Sequence, residues 1–448
     1  MKLWDKGTEI NQLIENFTIG RDTEMDFFLA EFDVIGSLAH IKMLESIGLL
    51  TSTELALLSG ELRNINDEIK AGKFVIEAGS EDIHSQVELI LTRKLGDVGK
   101  KIHSGRSRND QVLVDIKLFT RSEIKSVVEG IIELFEILIA QSDKYQHILM
   151  PGYTHLQVAM PSSFGLWFGA YAESLADDLL LLQAAYRIAD QNPLGSAAGY
   201  GSSFPLDRQM TTDLLGFESM NYNVIYAQMG RGKVEKTVAY ALASVAGTLS
   251  RLAFDVCLFM SQNFNFVSLP DELTTGSSIM PHKKNPDVFE LLRSHCNRIQ
   301  SLPNQILLMT NNLPSGYFRD LQLIKEIFIP SFAELKNCLL IASFAISNIK
   351  VNENIMDDNR YENIYSVEEV NRKVLQGVPF RDAYRIVGDS IKRGDFHPDK
   401  SIYHTHEGSI GNLCLDQIRQ KMEKITNSFN FGKVEKAFRL LLNEDNKH

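Results

Sequence analysis

The segment GSSIMPHKKNPD, residues 276–287, places two serines, two lysines and an asparagine on one short stretch. Its Asn-Pro-Asp run predicts the start of a helix, with Asn285 as the N-cap. A helix N-terminus has unpaired N–H groups that favour negative charge, and Lys283 and Lys284 add full positive charges beside it. The segment therefore predicts a site for an anion, with an ordinary solvated loop before a capped helix as the alternative.

A second polar segment is HSGRSRNDQ, residues 103–111, which precedes an amphipathic helical pattern. An arginine fork binds carboxylates through two hydrogen bonds, and serine or asparagine can complete the contacts. Ser107, Arg108 and Asn109 are therefore candidates for binding a dicarboxylate. The composition agrees equally well with a helix cap that carries surface ion pairs.

A third segment is GYTHLQ, residues 152–157, in which His155 follows Thr154. Histidine titrates near neutral pH and can act as a general acid or base, although a single histidine is more often structural. Weaker signals come from one more histidine and from three polar residues of NNLPSGYFRDLQLIK, namely His84, Tyr317, Gln322 and Lys325.

The elements that position these segments are predicted to be helices. Apolar residues recur at helical spacing over about 109–145, 161–190, 231–266, 286–312 and 325–350, while period-two alternation is scarce. Several of these helices are apolar around most of their circumference, which requires neighbours on nearly every side. We therefore predict an all-α fold with a long central bundle that oligomerisation buries further.

Three helical domains are predicted from changes in pattern, with boundaries near Gly105 and Asp357. They are an N-terminal helical domain over 1–105, a central long-helix bundle over 106–357 and a small, more charged helical domain over 358–448. The chain contains no repeat and no low-complexity linker, so these boundaries rest on pattern alone.

The composition restricts the class of protein. A formal net charge of -11 argues against nucleic acid and against an anionic membrane surface as partners. The four cysteines are far apart and lack the spacing of a zinc site, and the first residues lack a signal-peptide pattern, so we expect a cytoplasmic protein without a metal. The apolar stretch 237–266 contains Arg251 and Asp255, which favours a buried helix over a membrane span.

Together the segments resemble those of the fumarase and aspartase superfamily, and within it those of the argininosuccinate lyases. The resemblance extends from EFDVIGSLAHIKML through EDIH, SGRSRNDQV, GYTHLQ, GSSIMPHKKNPD and YFRDLQ to PFRDAY, which is nearly the whole chain. The pattern GSSxMPxKxNP is typical of the superfamily, whereas SGRSRNDQV and the KKNPD ending are specific for the argininosuccinate branch.

The resemblance implies a homotetramer in which the long central helices form a twenty-helix core and each active site is assembled from loops of three subunits. It also implies the reversible elimination of argininosuccinate to arginine and fumarate through a carbanion with an aci-carboxylate, without metal or organic cofactor. The expected partners are this small-molecule substrate and other copies of the chain.

The resemblance also implies roles for individual residues. Ser277 matches the catalytic base, and Lys283 and Asn285 match groups that bind the carboxylate whose charge grows when the proton is removed. Thr154 and His155 match the loop that lies across the reacting bond and are candidates for protonating the departing nitrogen. Which of them donates the proton stays open. Glu290 is expected to pair with His155. The other implied substrate contacts are Ser107, Arg108, Asn109, Tyr317, Gln322 and Lys325.

Three positions depart from the family pattern. Asp22 stands where many members have serine, His282 stands where glutamine is frequent, and the Gly-rich loop reads GSAAGYGSSFP. These changes affect the expected substrate contacts but not the groups assigned to proton transfer. The alternatives are a sibling lyase that releases fumarate from another substrate, such as adenylosuccinate, and an inactive structural homologue.

Overall fold

A computed structural model describes residues 12–77 and 80–443. The extreme ends of the first and third predicted domains, 1–11 and 444–448, lie outside the described residues. The described chain is mainly helical, as predicted. Its α-helices are α1 Gln12–Ile19, α2 Asp22–Asp26, α3 Ala30–Ser46, α4 Ser52–Lys70, α5 Ile83–Leu95, α6 Asp97–Lys100, α7 Arg108–Lys144, α8 Phe164–Ala189, α9 Arg208–Leu214, α10 Val224–Met229, α11 Lys233–Phe259, α12 Asp287–Gln300, α13 Leu302–Met309, α14 Ile324–Ser347, α15 Ser366–Leu375, α16 Phe380–Arg393, α17 Leu415–Thr426 and α18 Phe431–Leu442.

Four of the five predicted long helices are single helices, namely α7, α8, α11 and α14. The prediction of one continuous helix over 286–312 is wrong, because this stretch forms two helices, α12 and α13. Pro303 lies in the first turn of α13. Proline cannot donate a backbone hydrogen bond and its ring clashes with the preceding turn, so α12 ends just before it.

A β-hairpin corrects the expectation of a purely α-helical chain. Strands β1 Leu149–Thr154 and β2 Gln157–Ser163 are antiparallel, with Thr154 opposite Gln157. The two residues between them, His155 and Leu156, have φ of 54° and 56°. Both are left-handed, as a type I′ turn requires, but neither is the asparagine or glycine that signals such a turn in a sequence. The remaining strands are two residues long: β3 Gln191–Asn192, β4 Ser219–Met220, β5 Val267–Ser268 and β6 Lys350–Val351.

Three clusters of buried apolar side chains hold the described chain together. The largest is formed mainly by α7, α8, α11, α12 and α14, the second by α3, α4 and α5 with the start of α7, and the smallest by α15 and α16. The C-terminal helices do not share one core, since Ile418 of α17 joins the largest cluster and Leu441 of α18 joins the second. The domain boundaries near Gly105 and Asp357 stay predictions.

Two segments, Lys233–Phe259 and Arg319–Ser347, have the length and hydropathy of a membrane span. Their inward faces supply Leu242, Leu249 and Phe332 to the largest apolar cluster. The core helices of large soluble proteins have the same composition, so length and hydropathy alone do not indicate a membrane protein.

Candidate active site

Five of the predicted site residues line one pocket, which we call the α7 pocket because it opens at the first turn of α7. Its volume is about 180 Å³. The 3-10 helix Arg319–Leu323 and the start of α14 form one wall, and α2, the start of α5 and the residues before α11 form the others. The lining residues are Asp22, Asp26, Glu81, Asp82, His84, Arg108, Asn109, Val112, Arg231, Tyr317, Arg319, Gln322 and Lys325.

A capping box begins α7 beside this pocket. The Ser107 hydroxyl accepts from the Asn109 N–H at 3.3 Å, and the Asp110 carboxylate accepts from the Ser107 N–H at 2.8 Å. Asp110 also accepts from the N–H groups of Gly195 and Ala197, at 3.0 and 2.9 Å. Burial raises the pKa of Asp110 to about 6, and these N–H donors oppose the rise. One carboxylate thus fixes both the helix start and the Gly-rich loop.

The two arginines of SGRSR have different surroundings. Arg106 is buried and donates to the Ser37 hydroxyl at 3.0 Å. Arg108 faces the α7 pocket, where its Nη1 lies 3.0 Å from Glu81 and 3.3 Å from Asp82. Arg108, the arginine predicted to bind the dicarboxylate, therefore lies in the pocket but is already paired with two carboxylates, whereas Arg106 points elsewhere. The role of Arg108 in binding stays a prediction.

Lys325 is buried between two carboxylates of the N-terminal segment. Its Nζ lies 2.6 Å from Asp26 and also contacts Asp22. Burial lowers the pKa of Lys325, but the two carboxylates outweigh burial and raise it overall. Burial, together with the charge of Asp26, raises the pKa of Asp22 to about 6, against the opposing effect of Lys325. Asp22, which stands where many family members have serine, thus forms an ion pair with Lys325, a predicted substrate-binding residue.

His84, a weak signal in the sequence, belongs to a buried charge cluster. Its Nδ1 lies 2.7 Å from Asp33 and 3.6 Å from Asp115, and its ring lines the α7 pocket. Burial lowers the pKa of His84, but the attraction of these two carboxylates prevails and raises it to about 9. Sequence reasoning missed Asp33 and Asp115, although an acid inside the apolar runs EFDVIG and VLVDIK was the available signal.

The ligand-type atoms of this cluster lie within 4.8 Å of one another, as in a metal site. A metal ion needs a neutral imidazole with a free lone pair on nitrogen. Because its raised pKa keeps His84 protonated at neutral pH, the ring acts as a cation that neutralises the carboxylates. A metal could bind here only by displacing that proton; in the described structure the cluster holds the wall of the pocket.

The second group of predicted residues lies on the hairpin. Thr154 and His155 are exposed at its tip, and His155 borders a groove that is also lined by Trp167 of α8 and Phe254 of α11. Glu290 is exposed on the first turn of α12. Within the described chain Glu290 and His155 form no hydrogen bond or ion pair with each other. Their pairing therefore stays a prediction, and it would have to occur between two subunits.

The third group lies on the loop 276–284, which we call the serine loop. Asn285 and Thr275 pair at its base, where the Asn285 N–H donates to the Thr275 carbonyl at 2.8 Å. The expectation that Asn285 is the N-cap is wrong: α12 begins at Asp287, Pro286 precedes it, and no side chain caps it. The side chain of Asn285 instead contacts the Thr275 hydroxyl at 3.4 Å, which fixes the base of the loop.

The Ser277 hydroxyl accepts two hydrogen bonds within this loop. Its Oγ accepts from the N–H groups of Ile279 and Met280, at 3.3 and 3.1 Å. Lys283 is exposed on the same loop, whereas Lys284 contacts Asp271 on the surface. Two N–H donors on one hydroxyl oxygen favour its deprotonated form, because hydrogen bonds to the charged state stabilise that state.

These three groups are not brought together within one chain. The α7 pocket lies at the N-terminus of α7, and the hairpin follows its C-terminus. Because α7 has 37 residues, a rise of 1.5 Å per residue separates its ends by about 55 Å. The serine loop also lies toward the hairpin end, since Arg293 of α12 stacks on Phe254 near the C-terminus of α11.

Comparisons with known proteins agree with the fold and with the motifs. A family described as "Lyase" matches residues 6–301. Among solved structures, EDDS lyase in complex with formate superposes with a TM-score of 0.78 at 22% identity, covering 99% of this chain and 98% of that one. The class II fumarase from Schistosoma mansoni superposes with a TM-score of 0.71 at 15% identity, covering 96% and 95%. The fold and the motifs therefore define a lyase with the fold of the fumarate lyases.

Curated relatives narrow this class. The argininosuccinate lyase of Phocaeicola vulgatus is 66% identical over 98% of this chain and 99% of its own length. The argininosuccinate lyase of Thermotoga neapolitana is 40% identical over 88% of this chain and 98% of its own length. The chain belongs to the argininosuccinate lyase family, and the alternative of an adenylosuccinate-type sibling is not favoured.

Proposed function

We propose that the protein catalyses the reversible elimination of argininosuccinate to arginine and fumarate, with Ser277 as the base. The observation that carries this proposal is the pair of backbone N–H groups on the Ser277 oxygen. A serine hydroxyl is a weak acid, so its use as a base requires an environment that stabilises the alkoxide. The two N–H donors supply that environment, and the exposed cation of Lys283 on the same loop adds to it.

The reaction begins with removal of a proton from the carbon next to a carboxylate. The electron pair left on that carbon delocalises into the carboxylate, which then carries extra negative charge and must be met by cations and N–H donors. Lys283 and the amide of Asn285 are the groups that we assign to this task. The bond from the carbon to the guanidinium nitrogen then breaks, the electron pair leaves with that nitrogen, and a carbon–carbon double bond forms.

The departing nitrogen has to be protonated, and we assign the general acid to the tip of the hairpin. Thr154 and His155 project from a turn in which two non-glycine residues are left-handed. Such backbone strain costs about 1–3 kcal/mol per residue and is often found at functional sites. Glu290, from a neighbouring subunit, would hold the imidazole in position.

We assign the remaining predicted residues to the α7 pocket. Asn109, Tyr317, Gln322 and Lys325 line it directly, Arg108 lines it while paired with Glu81, and Ser107 acts through the cap that orients Asn109. These placements support substrate contacts at one end of the molecule and proton transfer at the other.

A homotetramer with sites shared between three subunits explains this separation. Copies packed along their long helices would bring the hairpin tip of one chain and the serine loop of another to the α7 pocket of a third. The helices that form the core of one chain still expose large apolar side chains, which supports such packing. Examples are Leu181 at 51%, Tyr240 at 54%, Phe254 at 50%, Leu340 at 59% and Phe344 at 55%. We further propose a cytoplasmic protein, in keeping with its four free cysteines.

The substrate is tested by mixing pure protein separately with argininosuccinate and adenylosuccinate and following fumarate in the ultraviolet. We expect fumarate from argininosuccinate only. Fumarate from adenylosuccinate alone would replace this proposal by the sibling reaction, and no fumarate from either would favour a structural homologue.

His155→Asn tests the acid side, and asparagine is chosen because it tolerates the left-handed backbone at this turn. We expect kcat to fall about 100-fold, in the range of general acid–base catalysis, and the pH profile of kcat to change shape. The measurement is the initial rate from pH 6 to 9 for both proteins. A lower rate with an unchanged profile would reduce His155 to a positioning role.

A further inference from the structure

Three side chains of the C-terminal segment form a hydrogen-bonded chain that the elimination does not use. The Ser409 Oγ lies 2.8 Å from Nδ1 of His404, and Nε2 of the same ring lies 3.1 Å from Oε1 of Glu368. A hydroxyl, an imidazole and a carboxylate in this order make up nucleophilic serine sites on several unrelated folds. The three residues are therefore candidates for chemistry at the serine oxygen.

The carboxylate determines which imidazole nitrogen carries the hydrogen. An ionised Glu368 can only accept, so Nε2 of His404 carries the hydrogen of their contact. In the neutral ring the lone pair then lies on Nδ1, which is the atom that faces Ser409. The Ser409 hydroxyl consequently donates to Nδ1, and the ring has the form that can remove the hydroxyl proton.

Backbone contacts hold the turn that carries Ser409. The Gly408 N–H donates to the Asn412 carbonyl at 2.9 Å, and the Asn412 N–H donates to the Ser409 carbonyl at 2.9 Å. Gly408 and Gly411 have φ of 75° and 89°, which glycine adopts without strain. Glu368 lies in the first turn of α15, so the turn and the helix together fix the geometry of the three side chains.

A small molecule can reach this site. The side chains of His404 and Glu368 are 19% and 11% exposed, and Ser409 is half-buried. The N–H of Ile410, directly after the serine, donates no hydrogen bond within the described residues. In α/β-hydrolases the N–H that follows the nucleophile stabilises the oxyanion. The turn therefore has a nucleophile, a base and a donor for the charge that forms on an acyl oxygen.

We propose that Ser409 accepts an acyl group from small activated esters, with His404 as its base and Glu368 as the residue that positions the ring. The Ser409 oxygen forms a bond to the ester carbonyl carbon while its proton passes to Nδ1 of His404. The bond from that carbon to the leaving oxygen then breaks, and the leaving alcohol takes the proton. Water repeats the sequence on the acyl serine and releases the acid, so the ester and water are the only co-reactants.

This activity is separate from the proposed elimination. None of the three residues lines the α7 pocket or lies on the hairpin or the serine loop. The alternative is a set of contacts that only holds the turn against α15. That alternative predicts no reactivity at the Ser409 oxygen, so the two explanations differ in a measurable result.

The probe is 4-nitrophenyl acetate, because its leaving group is coloured on release. We expect the full-length, assembled protein to release one nitrophenolate per chain in a rapid phase, and peptide mass spectrometry to locate the acetyl group on Ser409. Ser409→Ala should abolish the rapid phase. Ser401→Ala removes the hydroxyl of an exposed serine nearby and is the matched control, which should keep the rapid phase unchanged.

Two further variants separate the base from the positioning residue. His404→Asn is expected to lower the rate of the rapid phase about 100-fold, in the range of general acid–base catalysis. Glu368→Gln should lower it about 10-fold, the effect of one charged hydrogen bond, and leave the ester concentration at half-maximal rate unchanged. A turn displaced as a whole would change both quantities.

An acetyl group on lysines alone, with none on Ser409, would overturn the proposal. A rapid phase that persists in Ser409→Ala or at full rate in His404→Asn would overturn it as well. The molecular mass in solution checks that each variant is assembled; if Ser409→Ala is not, the peptide map of the unmodified protein still decides. Ser277→Ala should be acetylated at the unchanged rate, so failure of the proposed elimination would not affect this test.

Discussion

Replacing Ser277 by alanine is expected to lower kcat about 1,000-fold without changing the assembly. The hydroxyl is the proposed base, and groups that transfer a proton in the transition state contribute about 10²–10⁴-fold. Ser277 is half-buried in a surface loop, and among the described residues its hydroxyl is hydrogen-bonded to backbone N–H groups of that loop alone, so its loss should not affect the core. The measurements are fumarate release under saturating argininosuccinate and the molecular mass in solution.

Ser278 provides a matched control within the same loop. It is exposed, and Ser278→Ala removes the same atom one position along the chain. We expect this variant to keep kcat within about threefold of the unmodified protein, since surface substitutions are usually small in effect. If Ser277→Ala remains fully active, or if Ser278→Ala is the inactive variant, the base has been assigned to the wrong residue.

Replacing His84 by glutamine is expected to cost about 3–5 kcal/mol in the free energy of unfolding at pH 7. Removal of one partner from a buried ion pair leaves the other charge uncompensated, and here Asp33 would lose the cation that it contacts at 2.7 Å. Urea titration at fixed protein concentration measures the change, because assembly makes the apparent stability depend on concentration. A loss below about 1 kcal/mol would mean that the carboxylates are stabilised by other groups.

The pH dependence of stability gives an independent test of the same cluster. The pKa of His84 rises from the ordinary 6.5 to about 9 on folding, so the folded state binds a proton that the unfolded state has released. The stabilisation is therefore fully present below about pH 6.5 and is lost as the pH rises through 9, a difference of about 3 kcal/mol. Asp115, whose pKa burial and Asp33 raise well above the usual range, shifts stability in the same direction. His84→Gln should make the curve flatter over this interval, and an equally steep curve in the variant would assign the titration to other groups.

Much of the fold follows from local patterns in the sequence. The apolar periodicity of α7, α8, α11 and α14 extends over many turns, and such regular patterns are the strongest signal of a helix. The hairpin was missed because its turn residues, His155 and Leu156, are held left-handed by the surrounding structure rather than by their own preference. The N-cap at Asn285 was misassigned because backbone pairing with Thr275, ten residues earlier, prevailed over the local Asn-Pro signal.

The sequence by itself determined which chemical groups the protein has, because Ser277, Lys283 and Asn285 lie within one contiguous motif whose residue types and spacing can be read directly. It also determined the family, through motifs distributed over nearly the whole chain. Only the tertiary structure decided what surrounds these groups. Lys325 meets Asp26 across 299 positions of the chain, and Arg231 lies in the same pocket as both. Such contacts arise when helices pack against one another, so no periodicity or spacing along the chain could have specified them.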